Sequence, residues 1–356
     1  MEENLTHGGD WAGYWAQRGS MPLDFSANIS PLGLPAGVRE AVIASLDTAQ
    51  RYPDPLCRAL RDAIGESEGV EPAWVLCGSG AADLIYRAVL AKRPKRALVT
   101  APTFAEYEAA LDLVGCKTER FVLREKDNFD LTAGILEAIG PDTDMVFLCQ
   151  PNNPTGRSIP RRLLLAVLDR CRQVDALLVM DECFCDFLLR AADASLKGAL
   201  NGCANLLILK AFTKLYAMAG LRLGYCLCGD GELLARMRAA GQPWAVSGPA
   251  QAAGIAALKE TDYAHCVLAN TAKERIRLAR GLADLGLRVV PGEANYLLFY
   301  SNTPLLGPLR ERGILIRDCS NYHGLGPGWY RVAVRKRGDN LLLMDALKKI
   351  LKGGAL

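Results

Sequence analysis

Thr213-Lys214-Leu215-Tyr216-Ala217-Met218-Ala219-Gly220-Leu221-Arg222-Leu223-Gly224-Tyr225 follows one apolar run, Asn205–Leu209, and runs into another, Leu223–Cys228. A lysine just past a strand is ordinarily a solvated surface cation. Here Arg222 stands eight residues further on and opens the next strand. A lysine that reacts with an aldehyde cofactor needs an anion site close by for that cofactor's phosphate. Arg222 offers a planar fork for this purpose and Thr213 a hydroxyl donor. Lys214 is therefore the candidate reactive amine.

Outward from this segment, residues 73 to 230 alternate short apolar runs with longer amphipathic stretches. Strands are expected at Trp74–Cys77, Ala97–Thr100, Met145–Cys149, Ala176–Met180, Asn205–Leu209 and Leu223–Cys228, and helices at Ala81–Leu90, Ala105–Val114, Pro160–Gln173 and Glu232–Ala240. Val146-Phe147-Leu148 and Leu177-Leu178-Val179-Met180 are continuous rather than alternating. Strands buried on both faces have that pattern, which argues for a mainly parallel sheet covered by helices. After Gly241-Gln242-Pro243 the texture changes to one long helical stretch, Pro249–Leu285. Strands at Arg288–Val290 and Tyr296–Tyr300, a helix at Leu305–Arg312, strands at Ile314–Arg317 and Tyr330–Val334 and a helix at Asp339–Leu351 complete it. The expected division is an ordered arm over residues 1–40, a large domain over 41–245 and a small α+β domain over 246–356.

Open parallel sheets place ligands beyond the carboxyl ends of their strands. Asp181, the turn Asn152-Asn153-Pro154-Thr155-Gly156 and Lys214 all fall at such ends. So does Gly78-Ser79-Gly80-Ala81-Ala82, where small residues at a helix start suit a phosphate. Asp83 stands where a dinucleotide fingerprint has its third glycine, which argues against a dinucleotide.

The remaining composition excludes more than it assigns. Net charge is +3 over 356 residues, with Arg and Lys spread along the chain, so neither nucleic acid nor membrane is an expected partner. The start, Met1-Glu2-Glu3-Asn4, lacks a basic region followed by an apolar stretch, so no signal peptide is expected. The 12 Cys form no C-x-x-C pair. Cys183/Cys185 and Cys226/Cys228 are spaced to face one side of a sheet. They read as buried free thiols of a cytoplasmic protein. With His7, His265 and His323 scattered, no metal site is expected.

These separated motifs, in this order over nearly the whole chain, resemble the class I/II aminotransferase group of the fold-type I pyridoxal 5′-phosphate (PLP) enzymes. The resemblance implies an α/β fold of that type, with a mainly parallel, seven-stranded-type sheet in the large domain. It also implies PLP as cofactor and a homodimer with shared sites. It makes Lys214 the lysine that carries the cofactor and Asp181 the carboxylate that keeps the pyridine nitrogen protonated. Asn153 resembles the partner of the phenolic oxygen, and Phe104 the aromatic that stacks on the ring. Gly80, the N–H groups of Ala81 and Ala82, Thr213 and Arg222 resemble the phosphate site, which Tyr52 reaches from the neighbouring subunit. Arg331 resembles the clamp on the substrate carboxylate. Two positions depart from the pattern: Phe184 stands where many relatives have a tyrosine, and Ala211 where a serine or threonine donor is common.

A finer set occurs together: His7-Gly8-Gly9, Asp24 to Gly33, Arg51-Tyr52-Pro53-Asp54, Asp181-Glu182-Cys183-Phe184, Ala294 to Leu298 and Ile314 to Tyr322. Asp10 replaces the more usual Asn after His-Gly-Gly. Within the family this set resembles the branch that decarboxylates threonine phosphate for cobalamin biosynthesis, itself similar to histidinol-phosphate aminotransferases. A phosphorylated amino acid has two anionic ends and needs two cationic anchors. Arg317, His7 and the Asn28 region are the candidates for its phosphate and Arg331 for its carboxylate. Arg335 is expected to alternate with Arg331 on one strand face. The competing expectations are a histidinol-phosphate-type aminotransferase and a serine-phosphate decarboxylase. A non-enzymatic effector domain would not need Lys214, Asp181, Asn153 and Arg222 intact. An NAD-dependent oxidoreductase leaves the Lys214/Arg222 pair unexplained.

Overall fold

The computed structural model describes residues 7–353. The Met1-to-Asn4 start, from which no leader was read, and the first six residues of the arm lie outside the described residues.

All six strands expected in the large domain form, and a seventh joins them. In spatial order they are Val75–Gly78, Gly224–Cys228, Leu206–Ala211, Leu177–Asp181, Met145–Cys149, Arg96–Ala101 and Lys117–Val122. Only Gly224–Cys228 runs against the others. Alternate residues of the central strands feed two separate cores. Phe147, Val179 and Leu209 pack under the helices Gly80–Lys92 and Gly231–Ala239. Val146, Leu178 and Ile208 pack against Arg161–Gln173 and Gly248–Ala257. Both faces are thus dry, which is why these strands read as continuous apolar runs.

The small domain is a four-stranded antiparallel sheet in the order Arg317–Asp318, Trp329–Ala333, Tyr296–Tyr300, Arg288–Val289. Helices Thr261–Asp284 and Arg337–Leu351 cover it through Leu278, Leu282, Leu343 and Leu347. The arm joins this domain, since Leu23–Asp24 pairs in parallel with Ile314–Leu315.

Four expectations need correction. The stretch Pro249–Leu285 is two helices, Gly248–Ala257 and Thr261–Asp284. Glu260 leaves helical geometry between them and its Oε1 accepts the Gly37 N–H at 3.0 Å. Ala250, Ala253 and Ala257 of the first helix belong to the large core. The strand Ile314–Arg317 changes partner midway: Ile314–Leu315 pairs with the arm, Arg317–Asp318 with Trp329–Ala333. Its last partner strand stops at Ala333, so Arg335 lies past the sheet rather than alternating with Arg331. Finally, Cys183 and Cys185 come after the strand that ends at Asp181, and Cys185 opens a 3-10 turn. Eleven of the twelve thiols, all free, are buried, and Cys266 is exposed. Among the described residues no helix is long and apolar enough to cross a membrane.

Candidate active site

Lys214 sits in a single helical turn, Phe212–Leu215, that caps the strand Leu206–Ala211. Burial brings its ammonium down to about 8, and the guanidinium groups of Arg331 and Arg222 push the same way. Its Nζ lies 5.5 Å from the centroid of the Phe184 ring. The aromatic face that replaces the family's tyrosine therefore serves as a cation–π surface rather than a hydroxyl donor. Asp181 ends the adjacent strand, directly beside Leu209 in register. One carboxylate oxygen accepts the Tyr107 hydroxyl at 2.6 Å and the other accepts the Cys183 N–H at 3.0 Å. Two neutral donors hold this carboxylate in one orientation without neutralising it.

The candidate phosphate site lies where two glycines let backbones approach. The 13-residue helix Gly80–Lys92 begins directly after the strand Val75–Gly78. Asp83 closes its first turn by accepting the Ser79 N–H at 2.8 Å, so the residue in the third-glycine position is a cap. Arg222 adopts left-handed backbone geometry (φ 56°), and its Nη2 donates to Ser79 O at 3.4 Å. A Cβ on Gly80 would stand 2.6 Å from that Nη2, and one on Gly224 would stand 2.6 Å from Ala81 N. The helix start, with Ala81 and Ala82 in its first turn, thus faces an exposed guanidinium across a gap that side chains would fill. Thr213 is buried beside Lys214.

Arg331 lies deeper, 6% exposed, over the Tyr296 ring at 5.5 Å. Its Nη1 donates to Asn153 Oδ1 and its Nη2 to Ser26 O at 3.0 Å, both neutral acceptors. Among the described residues its Nε has no partner, nor do Asn28 Oδ1 and Asn295 Oδ1, although Asn295 Nδ2 donates to Asn28 O. A buried polar atom left unpaired is costly, so such a cluster marks a place where a polar ligand completes the bonding. Arg317 is the register partner of Arg331 across the antiparallel pair, also buried, with Nη2 donating to Asn321 Oδ1 at 2.8 Å. Residues directly opposite in such a pair share a face at about 5 Å between Cβ atoms, and like charges there repel.

The structure therefore brings together Lys214, Asp181, Phe104, Asn153, Gly80, Ala81, Ala82, Thr213, Arg222, Arg331, Arg317 and Asn28. The donors, the lowered amine and the aromatic faces fit a phosphorylated pyridine aldehyde. His7 reaches the rim, its ring 5.5 Å from that of Phe104. Two predicted residues stand apart. Tyr52 is 79% exposed and stacks on Trp244 at 4.5 Å, away from this protomer's own cleft. Arg335 is drawn off by Asp339 at 3.0 Å and by Asp24 O at 3.0 Å, a bond that ties the arm down. Sequence reasoning missed Tyr107, Tyr86 and Glu106. Their presence in Pro102-to-Tyr107 and in the helix after Gly80 was visible, but their partners were not.

The sequence profile of the family described as aminotransferase class I and II matches residues 20–348. The chain is 40% identical over 357 aligned residues to the threonine-phosphate decarboxylase of Salmonella typhimurium, covering 98% of each. It is 33% identical to the histidinol-phosphate aminotransferase of Symbiobacterium thermophilum, over 93% of this chain and 91% of that one. The crystal structure of the histidinol-phosphate aminotransferase from Clostridium acetobutylicum superposes with a TM-score of 0.87 at 28% identity, covering 93% of this chain and 99% of that one. With a cleft built on a lysine, a strand-end aspartate and a glycine-lined turn, and with that match along nearly its whole length, the chain belongs to the class I and II aminotransferase family.

Proposed function

We propose that the protein uses PLP to decarboxylate L-threonine O-3-phosphate, giving (R)-1-aminopropan-2-ol O-2-phosphate and CO2 for the aminopropanol linker of cobalamin. When bound, PLP supplies an electron sink for whichever Cα bond stands perpendicular to its ring. The protein's part is to hold that ring and to choose the bond. Phe104 would cover the ring, Asp181 would pair with its nitrogen, Asn153 with its phenolic oxygen, and the Gly80–Ala82 turn with Thr213 and Arg222 would hold its phosphate. Lys214 anchors the aldehyde and, with an amine near neutrality, can later deliver a proton from Nζ to Cα.

One observation carries the substrate assignment: Arg317 and Arg331 are opposite one another, buried, on the face of the small sheet that meets the cleft. Two guanidinium groups so placed match a substrate with a carboxylate at one end and a phosphate at the other. The similarity to the Salmonella threonine-phosphate decarboxylase supports the same reading. The assay is CO2 release from threonine phosphate with no keto-acid acceptor, with serine phosphate and histidinol phosphate alongside. Release from threonine phosphate supports decarboxylation. Conversion of the cofactor to its amine form by histidinol phosphate, without CO2, would make the protein an aminotransferase instead. Serine phosphate differs by one methyl, worth about 1–3 kcal/mol of discrimination.

Arg317→Ala is expected to cut the preference for threonine phosphate over threonine by about 10–100-fold in kcat/KM, the scale of a lost charged hydrogen bond. Parallel kinetics on the two substrates read it directly, and an unchanged preference would remove Arg317 from the phosphate site. We further propose a cytoplasmic homodimer in which the exposed Tyr52 of each subunit completes the phosphate site of the other.

A further inference from the structure

The run His7-Gly8-Gly9 meets the large domain directly and the small domain by way of Ser26, further along the arm. His7 Nε2 lies 2.6 Å from Glu106 Oε1. The other oxygen of Glu106 accepts the Tyr86 hydroxyl at 2.7 Å. That bond pushes the Tyr86 phenol up to about 12, so it remains a donor. Tyr86 belongs to the helix that starts at the candidate phosphate site, and Glu106 begins the helix just past Phe104. Two residues further along the arm, Gly9 N–H donates to Ser26 Oγ at 2.7 Å. The Ser26 carbonyl in turn accepts Arg331 Nη2. Gly8 makes the approach feasible, since a Cβ there would stand 2.5 Å from Ser26 O, and Gly9 has φ +95°. The run His7-Gly8-Gly9 therefore spans from a large-domain carboxylate to the backbone that holds the small domain's deepest arginine.

We propose that Glu106, steadied by Tyr86, is a positioning residue that latches the arm across the two domains and aims His7 at the substrate phosphate. The inference rests on the reading of His7 as a phosphate contact. Both oxygens of Glu106 are engaged by donors, so it is a fixed acceptor rather than a mobile base. With Nε2–H given to Glu106, Nδ1 is the remaining ring nitrogen, and it can donate to a phosphate oxygen only when it too carries a proton. The latch also explains the position of Gly8: a bulkier residue would push the arm off Ser26 and carry His7 away from Glu106.

The test uses holoenzyme. Glu106→Gln is expected to raise KM for threonine phosphate about tenfold while kcat moves less than about threefold. In a His7→Ala background the same change is expected to alter KM by less than about twofold, because its target is gone. Tyr86→Phe should shift KM in the same direction by a smaller factor. Hydrogen exchange at Gly8 and Gly9 should quicken in Glu106→Gln, while the helix Glu106–Asp112 keeps its protection. An equal KM effect in both backgrounds, or unchanged exchange in the arm, would overturn the proposal. If wild-type holoenzyme releases no CO2 from threonine phosphate, the proposed function fails. The exchange measurement then still decides whether Glu106 holds the arm.

Discussion

Replacing Lys214 by alanine is expected to lower kcat by at least about 10³-fold, since it removes the cofactor's anchor and the proton carrier at once. Single-turnover kinetics on threonine phosphate would show it, and a variant that kept a tenth of wild-type activity would contradict the assignment. The amine also leaves a signature on stability. Its folded value of about 8 lies below the ordinary 10.5, so the charged form is disfavoured in the fold. The resulting destabilisation is full below pH about 8 and fades as pH rises towards the unfolded value of 10.5. Lys214→Met should therefore raise the Tm of cofactor-free protein at pH 7, with the gain shrinking in alkaline buffer. No gain at pH 7 would mean that the amine is not desolvated.

Asp181→Asn is expected to lower kcat by about 10²–10³-fold, the range seen when a preorganised electrostatic contact is removed. The shape is preserved: the amide oxygen can still accept the Cys183 N–H, while the amide NH2 would donate to the Tyr107 oxygen in place of the bond that hydroxyl now gives. What is lost is the negative charge that favours a protonated pyridine nitrogen. The visible spectrum of the bound cofactor should change with the rate, and KM should change much less. A rate drop with an unaltered spectrum would indicate general disruption of the strand end. The surroundings of Asp181 are demanding in this respect: burial and the nearby carboxylate push the Tyr107 phenol up, so this partner stays a neutral donor.

The parts legible from sequence were those fixed by local chemistry. Continuous apolar runs such as Leu177-Leu178-Val179-Met180 announced strands covered on both sides, and residues following such runs lined the site. Lys117–Val122 escaped notice because it is an edge strand, partly exposed along its length and paired only with Arg96–Ala101. Lys-Thr-Glu-Arg-Phe-Val carries no buried pattern to read. The break at Glu260 depends on a long-range bond to Gly37, and the partner change at Ile316 on the arm, so neither left a local mark. The same limit applied to the site. Arg331 and Arg317 were identifiable as cations, but their opposition is a matter of register. Arg335 has the spacing of a strand neighbour of Arg331, yet Asp339 four residues on claims it. Glu106 and Tyr86 became meaningful only once two helices and the arm were packed together.

The central claim is that one amine, Nζ of Lys214, holds the cofactor. Borohydride reduction of the purified holoenzyme, followed by peptide mapping, tests it most directly. The expected product is a phosphopyridoxyl mass on the tryptic peptide Ala211–Arg222, with cleavage blocked at Lys214. A label on any other lysine, or none in a protein that binds the cofactor, would contradict it.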